Sequence, residues 1–187
     1  MVYYRRKLPH WQPEGPALFV TWRLYASLPA KILGKKPEGA SGKAFAAYDC
    51  LLDKAETGPL WLKDDRIAQL VVNAIKFAES ELKLYQLNTF VVMANHVHIL
   101  VTPHTPTRKI TQALKGYTAH EANRILGKTG KPFWQEESFD HWVRSEEEFR
   151  RIMRYIEYNP VSAGLVAKIE DWPWSSATGR GKREQTK

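Results

Sequence analysis

Two apolar, β-branched runs, 87–93 and 96–101, are separated only by Ala94 and Asn95. Residues of this kind favour strands. A two-residue connection is far too short for a parallel crossover, so the runs are expected to be antiparallel neighbours in one sheet. Alternation along the second strand then puts His96 and His98 on one face, with Val97 and Ile99 on the other. Two imidazoles on one face can grip a divalent metal. They can also be hydrogen-bonded histidines on a half-buried strand, because His-x-His spacing alone is weakly specific. Any reactive group must come from another part of the chain.

The flanking segments set the fold class. Residues 17–24 read as a strand. Residues 26–62 carry Pro29, Gly34, Pro37, Gly39, Gly42, Gly58 and Pro59 and read as an insertion holding a short helix around 43–54. Asp64 and Asp65 open a helix in which Ile67, Leu70, Val71, Ala74, Ile75 and Ala78 recur at helical spacing. Pro103 and Pro106 end the histidine strand. Thr107 is expected to cap a helix over 108–126, with Ile110, Leu114, Tyr117 and Ile125 inward. Residues 139–144 read as a fourth strand. Ser145 and Glu148 form a capping box before a last helix with Phe149, Ile152, Met153 and Ile156 on its buried stripe. Pro160 is expected to end that helix. Strand, helix, strand, strand, helix, strand, helix is the split βαβ order. It predicts a ferredoxin-like α+β domain over 17–178: an antiparallel sheet, helices on one face, and an extra C-terminal helix. A loose basic arm (1–16) precedes it, and a basic tail (179–187) follows.

Lys and Arg total 28 against 20 Asp and Glu, a net charge of +8. The excess points to a polyanionic partner, nucleic acid before membrane, or to a solubilising surface. Between 108 and 131 lie six basic residues and one acid, Glu121. That segment is a solvated helix face or a phosphate track. The candidate phosphate contacts are Arg5 and Arg6 in the arm, Lys109 and Lys115 on this helix, and Arg144, Arg150 and Arg151 near the last helix. Trp134 is a core residue or a base-stacking platform, with core the commoner role. The single cysteine, Cys50, excludes an internal disulfide. No apolar run approaches the ~20 residues needed to span a bilayer, and the N-terminus lacks an apolar leader, so a cytoplasmic setting with no membrane partner is expected.

On the last helix Tyr155 and Asn159 stand at i and i+4 and share a face at the border of the apolar stripe. Tyr155 is a packing residue or a nucleophile. Tyr117 is the rival nucleophile, but it fits a buried stripe and has Glu121 rather than an amide at i+4. His104, His120 and His141 have no second ligand by spacing.

His96-Val97-His98 matches the His-hydrophobic-His motif of single-tyrosine transposases and relaxases. The ordered set Val92-Met93-Ala94-Asn95-His96-Val97-His98-Ile99-Leu100, Leu114-Lys115-Gly116-Tyr117-Thr118, Phe133-Trp134-Gln135, Asp140-His141-Trp142-Val143-Arg144, Tyr155 through Val166, and Asp171-Trp172-Pro173-Trp174-Ser175-Ser176 resembles the REP-associated tyrosine transposases. The resemblance covers roughly residues 17–178. It implies a ferredoxin-like core that cuts single-stranded DNA through one tyrosine, leaving a 5′-phosphotyrosine and a free 3′-OH. It implies that Tyr155 is that nucleophile and that His96 and His98 hold a divalent metal, Mg²⁺ or Mn²⁺. Asn159 stands where mobile relatives carry a glutamine that completes the metal site. The implied partner is single-stranded or hairpin DNA from repeated palindromes, bound by a monomer or homodimer. Two other readings differ in their products: a domesticated module that binds DNA or RNA hairpins without cutting, and a phosphoesterase acting on small nucleotides.

Overall fold

The computed structural model describes residues 2–5, 9–12, 15–28, 51–53 and 58–178. The N-terminal arm contains a two-stranded antiparallel ribbon, β1 (Val2–Arg5) and β2 (Pro9–Gln12), with Tyr3 opposite Trp11. It is therefore not the plain loose arm that its charge and prolines suggest. Its aromatic and β-branched content favours pairing. Arg6 and the basic tail lie outside the described residues.

The main sheet has four strands: β3 (Leu18–Arg23), β4 (Tyr85–Val92), β5 (His96–Pro103) and β6 (Phe139–Trp142). Their order is β4-β5-β3-β6 and every pairing is antiparallel. With helices α1 (Asp65–Ser80) and α2 (Thr107–Ile125) following β3 and β5, this is the ferredoxin-like arrangement expected from the element order. The final helix, α3 (Glu146–Ser162), carries Tyr155.

Alternation divides the interior into two layers. Leu18, Val20 and Trp22 of β3 and Val97, Ile99 and Val101 of β5 pack with the stripes of α1 and α2. Phe19, Val91 and Leu100 point to the opposite face and meet Ile152 and Ile156 of α3. Because β5 alternates, His96 and His98 belong to the α3 face. The edge strand β4 is covered rather than left open. Val92 donates its N–H to the Trp174 carbonyl (2.8 Å), Ser176 donates to Phe90 (3.0 Å), and the Trp172 indole donates to the Val92 carbonyl (3.0 Å). The aromatic Asp171–Ser176 stretch is thus an edge cover.

Three local expectations are corrected. The N-cap of α2 is Pro106, with no side-chain cap, and Thr107 is already helical and buried. Tyr117 is not inward but 54% exposed. It lines a groove of about 370 Å³ between α1 and α2, with Phe77, Leu82 and Leu114. Pro160 lies inside α3 and does not end it. The helix ends in a Schellman motif: Gly164 adopts φ +70°, its N–H bonds the Val161 carbonyl, and Leu165 bonds Pro160. Ile156, Asn159 and Pro160 are all buried, and their packing outweighs the local bias of the residue before proline.

The start of α3 follows the capping box in modified form. Ser145 accepts from the Glu148 N–H (3.1 Å), while the Glu148 carboxylate reaches Arg144 N–H (2.8 Å) and His141 (3.0 Å). Burial pushes the Glu148 carboxyl up, but the Arg144 amide, His141 and Arg151 together hold it below the ordinary range.

The long segment after β3 leaves and returns at one point. A Cβ on Gly58 would sit 2.2 Å from the Ala26 carbonyl oxygen, and Gly58 has φ +80°, so glycine is required there. Of the helix expected around 43–54, residues 51–53 are described, and they are helical.

Candidate functional site

The site is built where β3, β5 and α3 meet. Register places Thr21 opposite His98 and Arg23 opposite His96. Both histidines are fully buried, at 0% exposure. Their ring centroids are 4.7 Å apart. The Tyr155 ring lies 5.8 Å from that of His98 and packs edge-on against Phe19 at 6.3 Å. Two segments some 57 residues apart in sequence, the histidine strand and the tyrosine helix, therefore bring their rings into contact.

Each imidazole is oriented through Nδ1. Thr21 Oγ1 lies 2.7 Å from His98 Nδ1. Asn95 Oδ1 lies 2.7 Å from His96 Nδ1. The Asn95 amide is itself oriented, because its Nδ2 donates to the Leu52 carbonyl at 3.0 Å. Its oxygen must then face His96, so His96 Nδ1 carries a proton and donates to it, which leaves Nε2 as the nitrogen turned toward the site. Holding a histidine at one nitrogen is how proteins present the other to a metal. His96 Nε2 lies 3.5 Å from Asp53 Oδ1.

Asn159 is one helical turn beyond Tyr155 on α3 and is 1% exposed. Among the described residues, neither its Oδ1 nor its Nδ2 finds a hydrogen-bond partner. A buried amide unsatisfied at both ends costs several kcal/mol and calls for a ligand. An amide oxygen and imidazole nitrogens form a donor set suited to a divalent cation, so these residues fit the metal that the sequence resemblance implies. Among the described residues no three His, Cys, Asp or Glu side chains surround one point, so a third donor to the histidines has to be of another kind or has to approach.

The expected phosphate contacts are placed unevenly. Lys109 and Arg144 are exposed. The Lys115 ammonium donates to the carbonyls of Gln135 (2.8 Å) and Glu136 (2.7 Å) and so anchors the loop before β6. Arg150 pairs with Glu146, and Arg151 lies 3.5 Å from Glu148. Arg5 lies in β1. Trp134 is a core residue: it is 7% exposed and its indole N–H donates to Thr118.

Thr21, Arg23 and Asp53 carry no sequence signal of their own, and Asn95, though it stands in the motif before His96, carries none that marks it as the residue orienting that ring. Thr21 and Arg23 become visible once the β3–β5 register is known, since both face the histidines. Arg23 is 5% exposed, and its guanidinium donates to Ser27 Oγ (3.2 Å). Thr21→Val keeps the shape and removes the hydroxyl. It is expected to cost about 1–2 kcal/mol in denaturant unfolding, because it strands a buried ring nitrogen.

The family model described as "Transposase IS200 like" matches residues 61–159. A Haemophilus influenzae relative described as a REP-associated tyrosine transposase is 28% identical over 98 residues, covering 46% of this chain and 54% of that protein. The Escherichia coli REP-associated tyrosine transposase is 26% identical over 95 residues, covering 49% of this chain and 54% of its own length. The chain thus spans about half the length of these curated relatives. A solved REP-associated tyrosine transposase bound to a REP hairpin has a similar fold, with a TM-score of 0.54 at 21% identity. That similarity covers 94% of this chain and 82% of the other.

Proposed function

The chain belongs to the IS200-like transposase family, and from that premise we propose that it cuts and rejoins single-stranded DNA with Tyr155 as the nucleophile. The observation that carries this reading is the 5.8 Å ring contact between Tyr155 and His98, itself 4.7 Å from His96. In this reading the Tyr155 phenol oxygen bonds to the scissile phosphorus as the bond to the 3′-oxygen breaks. The phenolic proton passes to water and the departing 3′-oxygen takes one up from water, so a 5′-phosphotyrosine forms and the other DNA end keeps a free 3′-OH. Attack by a 3′-OH reverses the step, so the bond energy is conserved and no nucleotide cofactor is needed.

His96 and His98 would hold a divalent cation through Nε2, and Asn159 through Oδ1. Bound there, the metal makes the phosphorus more electrophilic and neutralises developing charge, which matters because an ordinary phenol with a pKa near 10 attacks a phosphodiester poorly. Imidazole with oxygen donors suits Mn²⁺, while Mg²⁺ prefers oxygen and brings waters. The substrate class follows from the relatives, one of which was solved on a REP hairpin: a hairpin with an unpaired flank. Lys109 and Arg144, with Arg5 and Arg6 in the arm, are the proposed phosphate contacts. Lys115, Arg150 and Arg151 would have to exchange a protein partner for a phosphate.

The test is to incubate the protein with end-labelled hairpin DNA and Mn²⁺ and to run denaturing gels. A protein–DNA adduct that survives SDS and vanishes with EDTA is expected. Salt-sensitive binding with no adduct would replace this reading with that of a non-cleaving hairpin binder.

A further inference from the structure

Tyr155, Ile156 and Glu157 are consecutive on α3, and each falls on a different part of its circumference. At 3.6 residues per turn, Tyr155 and Glu157 stand about 100° to either side of Ile156, and Asn159 about 60° away on the Tyr155 side. Ile156 is wholly buried in one apolar layer with Leu100, so it marks the line along which the helix rests on the sheet. The strands beneath repeat that order. Register puts Thr89 of β4 opposite Leu100 of β5, and Leu100 opposite Phe19 of β3. Tyr155 packs against Phe19 on one side of the line, and Glu157 reaches Thr89 on the other.

The contact at Glu157 is polar within a layer that is otherwise apolar. Thr89 is fully buried and Glu157 is 7% exposed. The Thr89 hydroxyl donates to Glu157 Oε1 at 3.3 Å and lies 2.6 Å from Ser176 Oγ, which accepts the Phe90 N–H at 3.2 Å. A chain of hydrogen bonds thus runs from the β4 backbone through the edge cover to the helix. Leucine at 157 would fill nearly the same space without the cost of taking a carboxylate out of water. What leucine lacks is direction. Apolar contacts at Ile152 and Ile156 tolerate a roll of the helix about its axis, whereas a hydrogen bond fixes an angle. A roll swings Tyr155 and Asn159 together relative to the histidines, and a misplacement of about 1 Å can cost a reaction about 100-fold.

We propose that Glu157 is a positioning residue: its bond to Thr89 sets the roll of α3 from the flank opposite the site, and so aims Tyr155 at the histidine strand. The inference rests on the reading of Tyr155 as the nucleophile. It gives the Asp171–Ser176 stretch a second role besides covering the β4 edge, because Ser176 braces the Thr89 hydroxyl that holds the helix.

The experiment measures two quantities on each variant of the full chain: hairpin affinity by gel shift, and the single-turnover rate of adduct formation at saturating hairpin DNA and Mn²⁺, well below the melting point. Glu157→Leu is expected to slow adduct formation by about tenfold or more while hairpin affinity stays within about twofold. Glu157→Gln, whose amide oxygen still accepts from Thr89, is expected to stay within about threefold of the wild-type rate. Thr89→Val keeps the shape, removes the hydroxyl and is expected to repeat the loss; it carries the test if the leucine variant does not fold. The double variant Thr89→Val/Glu157→Leu is expected to be no slower than the slower single, since both changes break one bond. Ile152→Val loosens the same helix without touching its polar flank, and is expected to lower the melting point yet keep the rate within about twofold. A wild-type rate in Glu157→Leu or Thr89→Val, a glutamine variant as slow as the leucine one, or an equal slowing in Ile152→Val overturns the role of Glu157 and leaves the Tyr155 chemistry standing. If wild type forms no adduct, both fall together.

Discussion

Tyr155→Phe is expected to bind hairpin DNA as wild type does and to form covalent adduct at least about 10³-fold more slowly, in practice none. The substitution removes one oxygen and leaves the ring. The ring packs 6.3 Å from Phe19 and 5.8 Å from His98, so the α3 face keeps its packing. Tyr155 is partly exposed at the site, and losing its hydroxyl is expected to move stability by less than about 1 kcal/mol. Chemistry and folding are therefore separable in this variant. Gel shift against gel-stable adduct, measured on the same preparation, makes the separation. Tyr158 and Tyr117 serve as controls. Tyr158 is 56% exposed on α3, and Tyr117 lies on the α1–α2 groove, in the layer served by the other face of the sheet. Phenylalanine at either position is expected to leave adduct formation unchanged.

His98→Ala carries the second large effect, and it acts on two quantities. His98 is wholly buried, touching His96 and Phe19 by its ring and Thr21 by Nδ1. Removing it opens a cavity and strands the Thr21 hydroxyl, at a cost of about 2–4 kcal/mol of unfolding free energy. It also deletes one of the two proposed imidazole ligands. Mn²⁺ affinity is expected to fall by about 100-fold or more, and the adduct with it. The two losses are distinguished by temperature. Well below the lowered melting point, the folded variant should still bind hairpin DNA but not form adduct when Mn²⁺ is added. EDTA-treated wild type should behave in the same way and recover fully with excess Mn²⁺. A folded His98→Ala protein that forms adduct at the wild-type rate would remove the metal from the reaction.

Much of this arrangement could be read before any coordinates. The short Ala94-Asn95 connection forces the β4–β5 hairpin, and the period of a strand puts His96 and His98 on one face. The period of a helix pairs Tyr155 with Asn159. Those are local rules, and each held because packing agreed with propensity. What could not be read was tertiary. Thr21 reaches His98 across a sheet register joining residues 77 apart in sequence, and no spacing rule announces that. Asp53 and Leu52 reach the histidine turn from a stretch whose prolines and glycines suggest only a loop. Tyr117 fits a helical stripe, yet faces out, because α2 meets α1 along Leu114 and Ala113 and leaves the tyrosine at the rim of the groove. Pro160 is a helix breaker by local sterics, but burial of Ile156 and Asn159 carries the helix two residues past it to the Gly164 cap. The resemblance to REP-associated tyrosine transposases named the tyrosine and the histidines. It was silent on the residues that orient them.

The most direct measurement is the chemical identity of the linked residue. Adduct formed on Mn²⁺-loaded protein can be digested with nuclease and trypsin and the modified peptide sequenced by mass spectrometry. Cleavage after Arg154 and Lys168 releases a peptide that begins at Tyr155 and also contains Tyr158, so fragmentation must assign the phosphonucleotide within it. The expected result is a nucleotide 5′-phosphate on Tyr155 alone. A nucleotide found on Tyr158, on Tyr117 or on any serine would contradict the assignment, since none of these is the ring that meets His98.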